Sequence, residues 1–302
     1  MILYQKQTQT KFKVKFRLDI KFILSKRDII IPEQHESGNE NRSITRGGIN
    51  MSEFQSIFKR YEKKYMVTQD QRHAILNAAG STIEKDPYYF TTVCSIYYDT
   101  PSKLLIRTSL DKPEYKEKLR LRSYGVPSGD SKVFLEIKKK YDGVVYKRRT
   151  SLKYENVDSF MSGVQNPQTQ IEKELAWTIG YYKNIEPSVF ISYDRTSFCG
   201  AHDKTFRLTF DTNVTYRETE LSLASGIWGE KLIDEGMYIM EVKSPYAIPL
   251  WLAKTLDELE IRPTSFSKYG TVYKNSLTAA QKTSESYSFS PAKSYITQPL
   301  YA

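Results

Sequence analysis

In Lys116-Glu117-Lys118-Leu119-Arg120-Leu121-Arg122-Ser123-Tyr124, Lys116, Lys118, Arg120 and Arg122 recur at every second position, with Leu119 and Leu121 between them. Side chains of an extended chain alternate between two faces, so this is a strand with one cationic and one apolar face. A polar face on an antiparallel strand is ordinarily just solvated. Four like charges in a row repel one another and gain nothing from facing water. The pattern also recurs. Ile57–Val67 puts Arg60, Glu62 and Lys64 on one face, and Val133–Tyr141 sets Glu136 and Lys138 against Val133, Leu135 and Ile137. Val144–Leu152 aligns Lys147 with Arg149, and Ser188–Phe198 aligns Tyr193 with Arg195. Thr205–Val214 sets Arg207, Thr209 and Asp211 against Phe206, Leu208 and Phe210. Met237–Lys243 sets Glu241 and Lys243 against Met240 and Val242.

With a further strand at Thr91–Asp99, strands outnumber helices. Tyr141-Asp142-Gly143 carries the Asp-Gly signal of a tight hairpin. Helices are expected at Gln69–Ala79, capped by Thr68 and stopped at Gly80, at Ile171–Lys183, and at Leu250–Leu259 after Pro249. Strands and helices do not alternate regularly, so an antiparallel α+β fold is favoured over a doubly wound parallel sheet. If the sheet closes, its apolar faces pack outward against the helices. Its charged faces then line an interior able to grip a chain of phosphates, with carboxylates placed for a divalent cation.

The balance of 45 Lys and Arg against 35 Asp and Glu, net +10, calls for an anionic partner. No window approaches a membrane span, and the N-terminus lacks the unbroken apolar run of a secretory signal. Cys94 and Cys199 make no disulfide framework, and His35, His73 and His202 are too scattered for a histidine-rich metal site. The cytosol is the default compartment. Cys94 and Cys199 read as ordinary strand residues, and Trp177 and Trp251 as core anchors. There is no internal repeat, P-loop or G-x-G-x-x-G, so phosphate chemistry has to come from side chains. Residues 1–50 read as a basic arm, in which Lys11–Phe22 alternates charged and apolar residues, followed by a linker. Arg46-Gly47-Gly48 just before Met51 makes Met51 an alternative start. Residues 51–276 form the body, and the Ser/Thr/Gln/Ala-rich stretch 277–302 reads as a flexible tail.

Arg60-Tyr61-Glu62-Lys63-Lys64-Tyr65 resembles the signature strand of the triphosphate tunnel metalloenzymes, and more closely that of their polyphosphate polymerase (VTC) branch. Ile96–Thr100, Lys118–Gly125, Leu135–Lys138, Val145–Arg149, Tyr193–Phe198, Arg207–Asp211, Met240–Lys243 and Phe266–Gly270 continue the resemblance in order over about residues 54–275. It implies a closed antiparallel β-barrel, a tunnel with a charged interior and helices packed outside. It also implies transfer of the γ-phosphoryl group of ATP onto a growing inorganic polyphosphate chain. By that resemblance Lys64, Arg120, Arg122, Lys138, Lys147, Arg149, Arg195, Arg207, Lys243 and Lys268 bind phosphates. Arg120, Arg122, Lys138 and Glu241 are the catalytic set. Glu241, with Glu62 or Glu136, holds Mn²⁺ or Mg²⁺. Ser265 stands where the eukaryotic relatives carry a second lysine. The resemblance is to a stand-alone prokaryotic form, without the relatives' lysine-rich sensor domain or membrane region, and with a membrane-protein partner in view. Such transfer requires no protein nucleophile, so the lack of a Ser-His or Cys-His pair does not count against it.

Three alternatives share parts of the pattern. A tunnel triphosphatase would use water in place of the polyphosphate acceptor. A non-catalytic polyphosphate binder would gain little from an inward Glu241. A nucleic-acid binder would use the basic charge and the 23 Tyr and 14 Phe as stacking surfaces, although residues such as Tyr65 sit where packing is the commoner role.

Overall fold

The computed structural model describes residues 61–288, apart from Gly143 and Tyr246. The basic arm at 1–50, the start of the first strand at Ile57 and Arg60 lie outside the described residues. The elements run β1 (Tyr61–Thr68), α1 (Gln69–Ala79), β2 (Ile83–Asp99), α2 (Leu104–Leu110), β3 (Tyr115–Tyr124), β4 (Lys132–Tyr141) and β5 (Val144–Lys153). They continue with α3 (Val157–Met161), α4 (Gln170–Tyr182), β6 (Glu186–Gly200), β7 (Arg207–Arg217), β8 (Glu230–Lys231), β9 (Met237–Ser244), α5 (Leu250–Glu258) and α6 (Lys268–Ser288). Thr68 caps α1 in a reciprocal capping box with Gln71, and Gly80 ends the helix at φ 49°. α4 begins with the same device, Thr169 with Glu172. α6 carries on past 276 into the stretch read from sequence as the tail.

All nine strands among the described residues join one antiparallel sheet, ordered β1-β9-β7-β6-β2-β3-β4-β5, with β8 on β7. The sheet is not the closed barrel expected from sequence. Its two ends, β1 and β5, are not paired with each other. The outer edge of β1 is taken up locally instead: Thr264 bridges to Lys64, its N–H donating to the Lys64 carbonyl at 2.7 Å. The sheet nevertheless curls. Lys138 on β4 meets Glu62 on β1 at 3.3 Å, a salt bridge between strands near opposite ends of the order.

Curling gives the sheet a convex and a concave face. On the convex face, Leu119, Leu121, Leu135 and Ile137 pack with Val157 and Phe160 of α3 and Leu175 of α4. A second convex cluster joins Tyr65, Val67, Leu208, Phe210, Met240 and Val242 to Ile75 of α1 and to Leu252 and Leu256 of α5. The helices are not all outside, however. Val93, Val189, Ile191, Tyr193 and Ile239 lie in the same alternation as the charged residues, and they bury Ile106 of α2 with Tyr269 and Val272 of α6. One part of the concave face is therefore filled by α2 and α6, and the rest is left to the charges. Asp99, fully buried at the end of β2, ties these two helices in place. It accepts from the N–H groups of Thr100, Leu105 and Ile106 and from the Tyr269 hydroxyl, all within 3.0 Å.

Candidate functional site

Register brings the charged positions of separate strands into rows. Arg120 on β3 lies opposite Tyr97 of β2 and Glu136 of β4, and Glu136 lies opposite Arg149 of β5. Lys118 lies opposite Lys138, which lies opposite Lys147. On the other side of the trough Lys64 and Thr209 flank Glu241, and Arg195 pairs with Asp211.

Four carboxylates anchor these cations. Glu136, 2% exposed, lies 2.7 Å from the Arg120 Nε, 2.8 Å from the Lys147 Nζ and 3.4 Å from the Arg149 Nε. Burial pushes its pKa up, but Arg120, Arg122 and Lys147 outweigh burial and hold it at about 2. Asp211 takes a two-pronged grip from Arg195, at 2.6 and 2.9 Å, and a third bond from Lys268 at 2.5 Å. Glu241 lies 2.5 Å from Lys243 and 3.7 Å from Lys64. Burial raises its pKa, yet Lys243, Lys64 and Arg195 together keep it well below the usual carboxylate range. Glu62 sits between Lys64 at 3.6 Å and Lys138 at 3.3 Å. Burial and then Glu241 push its pKa up, and Lys138, Lys243 and Lys64 bring it down overall.

Two cations differ from the rest. The Arg122 guanidinium, buried, donates only to hydroxyls: Ser95 Oγ at 3.3 Å and Tyr193 at 3.1 Å. Lys118 donates to Ser267 Oγ at 2.9 Å. Among the described residues neither has a carboxylate within 4 Å. Burial lowers the Lys118 pKa to about 8, with Lys64, Lys116 and Lys138 adding repulsion and Tyr97 opposing it. Arg122 is buried and Lys118 half-buried, and cations drawn from water without counter-charge are costly, so the pair marks a place where an external anion belongs.

With that geometry in hand, comparison with known proteins is direct. The model of the VTC domain matches residues 59–277. The chain belongs to the VTC domain family. No curated protein matches it. Among solved structures, a Bacillus halodurans protein provisionally described as an adenylate cyclase is 12% identical, covering 68% of this chain and 92% of its own, at a TM-score of 0.45. A Hippeastrum protein described as an adenylyl cyclase candidate with a dominant triphosphatase activity is 14% identical, covering 71% and 95%, at 0.42. Likenesses at that level carry no argument here.

Nine of the ten sequence-expected phosphate ligands of this VTC domain lie on strands, in the charged alternation of the trough, with differences in depth, and the tenth, Lys268, opens α6 and reaches the trough through Asp211. Arg207 sits at the rim, 45% exposed and bonded to Asp86 at 2.7 Å. Arg149 lies with its guanidinium 3.4 Å from the centre of the Phe134 ring, held flat by stacking as well as by Glu136. The expected metal ligands divide. Glu62 and Glu241 interact with each other across β1 and β9, whereas Glu136 is enclosed by three cations and is a poor place for a fourth. Among the described residues no three His, Cys, Asp or Glu side chains are grouped to hold a metal. A divalent ion held here would have to be carried largely by phosphate oxygens, the ordinary manner of Mg²⁺. Beside Glu241, the buried Thr209 hydroxyl has no hydrogen-bond partner among the described residues, an orphan that such a ligand shell would satisfy.

Several contributors received no role from the sequence. Tyr97 lies fully within the charge cluster, accepting from the Arg120 Nη1 at 3.3 Å and stacked on Tyr269. Burial raises its pKa, but Arg120, Arg122 and Lys118 outweigh burial and bring it to about 7. Tyr193, Asp211 and Ser267 likewise hold the cations in place. Asp211 shares the alternation of Arg207, which was the available signal. Tyr97 was hidden inside an apolar-looking Ile96-Tyr97-Tyr98 run.

Proposed function

We propose that this VTC domain is a metal-dependent polyphosphate polymerase that transfers the γ-phosphoryl group of ATP onto a growing inorganic polyphosphate chain. The observation that carries the reading is the cation row of β3, in which the buried Arg122 and the half-buried Lys118 have no carboxylate within 4 Å among the described residues. In the reaction, a terminal oxygen of the polyphosphate attacks the γ-phosphorus. The bond to the β–γ bridging oxygen breaks, and ADP leaves with its electron pair. Arg120, Arg122 and Lys118 hold the equatorial oxygens of the transferred group, where negative charge is densest. Lys64, Lys138, Lys243, Arg195 and Lys268 align the remaining phosphates, and Lys147 and Arg149 hold the row beside β3. Glu136 and Asp211 fix the positions of these cations, so little reorganisation is needed when substrate arrives. A divalent cation, Mn²⁺ or Mg²⁺, supplies further neutralisation when bound, with Glu241 and Glu62 as its protein ligands. No aromatic pocket for a base belongs to this scheme, so ATP is recognised mainly by its phosphates.

The test is direct. The purified protein is incubated with ATP and Mn²⁺ or Mg²⁺, and the products are resolved by gel. A ladder of long phosphate chains with ADP is expected. ADP and orthophosphate alone would make water the acceptor and the protein a triphosphatase. No turnover, with polyphosphate still bound, would leave a binding protein.

A further inference from the structure

The cations of the concave face do not end at the rows assigned to catalysis. Lys118 is electrostatically coupled to Lys64 on one side and to Lys116 on the other, and Lys116 is coupled to Lys140 and Lys112. Lys116 and Lys140 are direct cross-strand partners, two register positions beyond the Lys118–Lys138 pair and on the same face. Residues two apart on a strand are separated by about 6.5 Å, so the series continues with regular spacing toward the β4–β5 hairpin. Lys112 joins it from the turn after α2, where it holds φ at 50°.

Among the described residues these three lysines form no ion pair. Asp111, Glu114 and Asp142 flank them in sequence, yet among the described residues none lies within 4 Å of a Lys112, Lys116 or Lys140 amine. The recorded bond of Lys116 is to the Ser109 carbonyl of α2, at 3.2 Å, which keeps the amine against the concave side. Like charges directly opposite one another destabilise a sheet. A site that keeps Lys116 facing Lys140 with Lys112 beside them is suited to an anion longer than one triphosphate. The apolar packing of α2 and α6 against the same face leaves this cationic lane as a continuation of the trough along β3 and β4.

We propose that Lys112, Lys116 and Lys140 form a product subsite that holds the polyphosphate chain as it extends beyond the catalytic rows toward the β4–β5 hairpin. The proposal rests on the polymerase reading for its role in synthesis, but as a polyanion-binding lane it stands by itself. It separates two ligand classes: a triphosphate fills the catalytic rows, and only a long chain also reaches the lane.

The experiment uses the full chain and the variant Lys112→Ala/Lys116→Ala/Lys140→Ala. Affinities for tripolyphosphate and for long-chain polyphosphate are measured by calorimetry, and product length is read by gel at saturating ATP. The wild type is expected to bind the long chain more tightly than tripolyphosphate. In the variant, long-chain affinity should drop about tenfold, as expected for the loss of a few partly exposed charge contacts. Tripolyphosphate affinity and the KM for ATP should hold, which also shows that the variant is folded, and the product ladder should shorten. Equal losses for both ligands would mean a general field effect and would overturn the lane, as would unchanged long-chain binding. If the wild type makes no polymer at all, the binding comparison still decides the lane, and only the polymerase reading fails.

Discussion

Arg122→Ala isolates the feature on which the functional reading depends. The Arg122 side chain is buried, it reaches only the hydroxyls of Ser95 and Tyr193, and it stands beside Arg120 on the same face. Truncation loses two hydrogen bonds worth about 0.5–1.5 kcal/mol each, partly offset by relief of repulsion with Arg120. The net change in folding stability should stay below about 2 kcal/mol. The cost to turnover is of another size. A guanidinium fork makes two charged hydrogen bonds to phosphate, each worth about 1.5–3 kcal/mol, so kcat/KM should fall by roughly 10²–10⁴. Arg195→Ala is the informative contrast. It strips the two-pronged partner from Asp211, which is 1% exposed and keeps only Lys268, and should cost about 2–3 kcal/mol of stability, more than Arg122→Ala, in addition to activity. Thermal melts with and without tripolyphosphate, set beside steady-state kinetics, separate the two. Tripolyphosphate should stabilise the wild type strongly and Arg122→Ala weakly. If Arg122→Ala melted as early as Arg195→Ala while keeping near-normal kcat/KM, Arg122 would be a structural residue and the reasoning would fail.

Glu241→Gln should abolish synthesis while tripolyphosphate binding without metal holds or tightens, because the carboxylate repels bare phosphate and is useful only through a divalent ion; a normal metal optimum with normal turnover would exclude the ligand role. Lys118 and Lys147, each brought to about pKa 8 with burial as the leading cause, should make kcat/KM fall as pH rises through 8, since the free protein then loses the charges that hold phosphate. Their folded pKa lies below the unfolded value of 10.5, so the unfolded chain binds more protons between these limits and the anion-free protein should gain stability over the same rise; matched melts and kinetics across pH 7–10 check both signs. A chain starting at Met51 should keep its polymer synthesis, because the named site residues run from Glu62 to Lys268; loss of soluble protein would make Lys11–Phe22 an integral strand.

Eight of the nine strands among the described residues were legible from their own residue patterns, and α1 because Thr68 and Gly80 punctuate it locally; β8, only two residues long, carries no such pattern and was missed. What escaped was non-local. α2 begins without a side-chain cap of its own, and its N-terminal N–H groups are met by Asp99 from the end of a strand. Nothing in Leu104–Leu110 announces that arrangement. The charged faces were correctly placed together, but closure of the sheet depended on what β1 would pair with at its outer edge, and Thr264 occupies that edge at Lys64. The unequal roles of the carboxylates were equally hidden. Glu136 and Glu241 both look like inward acids between cations in sequence, and only cross-strand register shows that three cations close on Glu136 while Glu241 lies beside Glu62 and the orphaned hydroxyl of Thr209.

The central claim is that the concave cation rows are where the phosphate chain sits. A crystal structure with tripolyphosphate and Mn²⁺ tests it most directly. Phosphate oxygens are expected within hydrogen-bond distance of Arg120, Arg122 and Lys118, with the ion between phosphate and Glu241. Tripolyphosphate seated on the convex face, or a trough left empty at saturating ligand, would contradict the account.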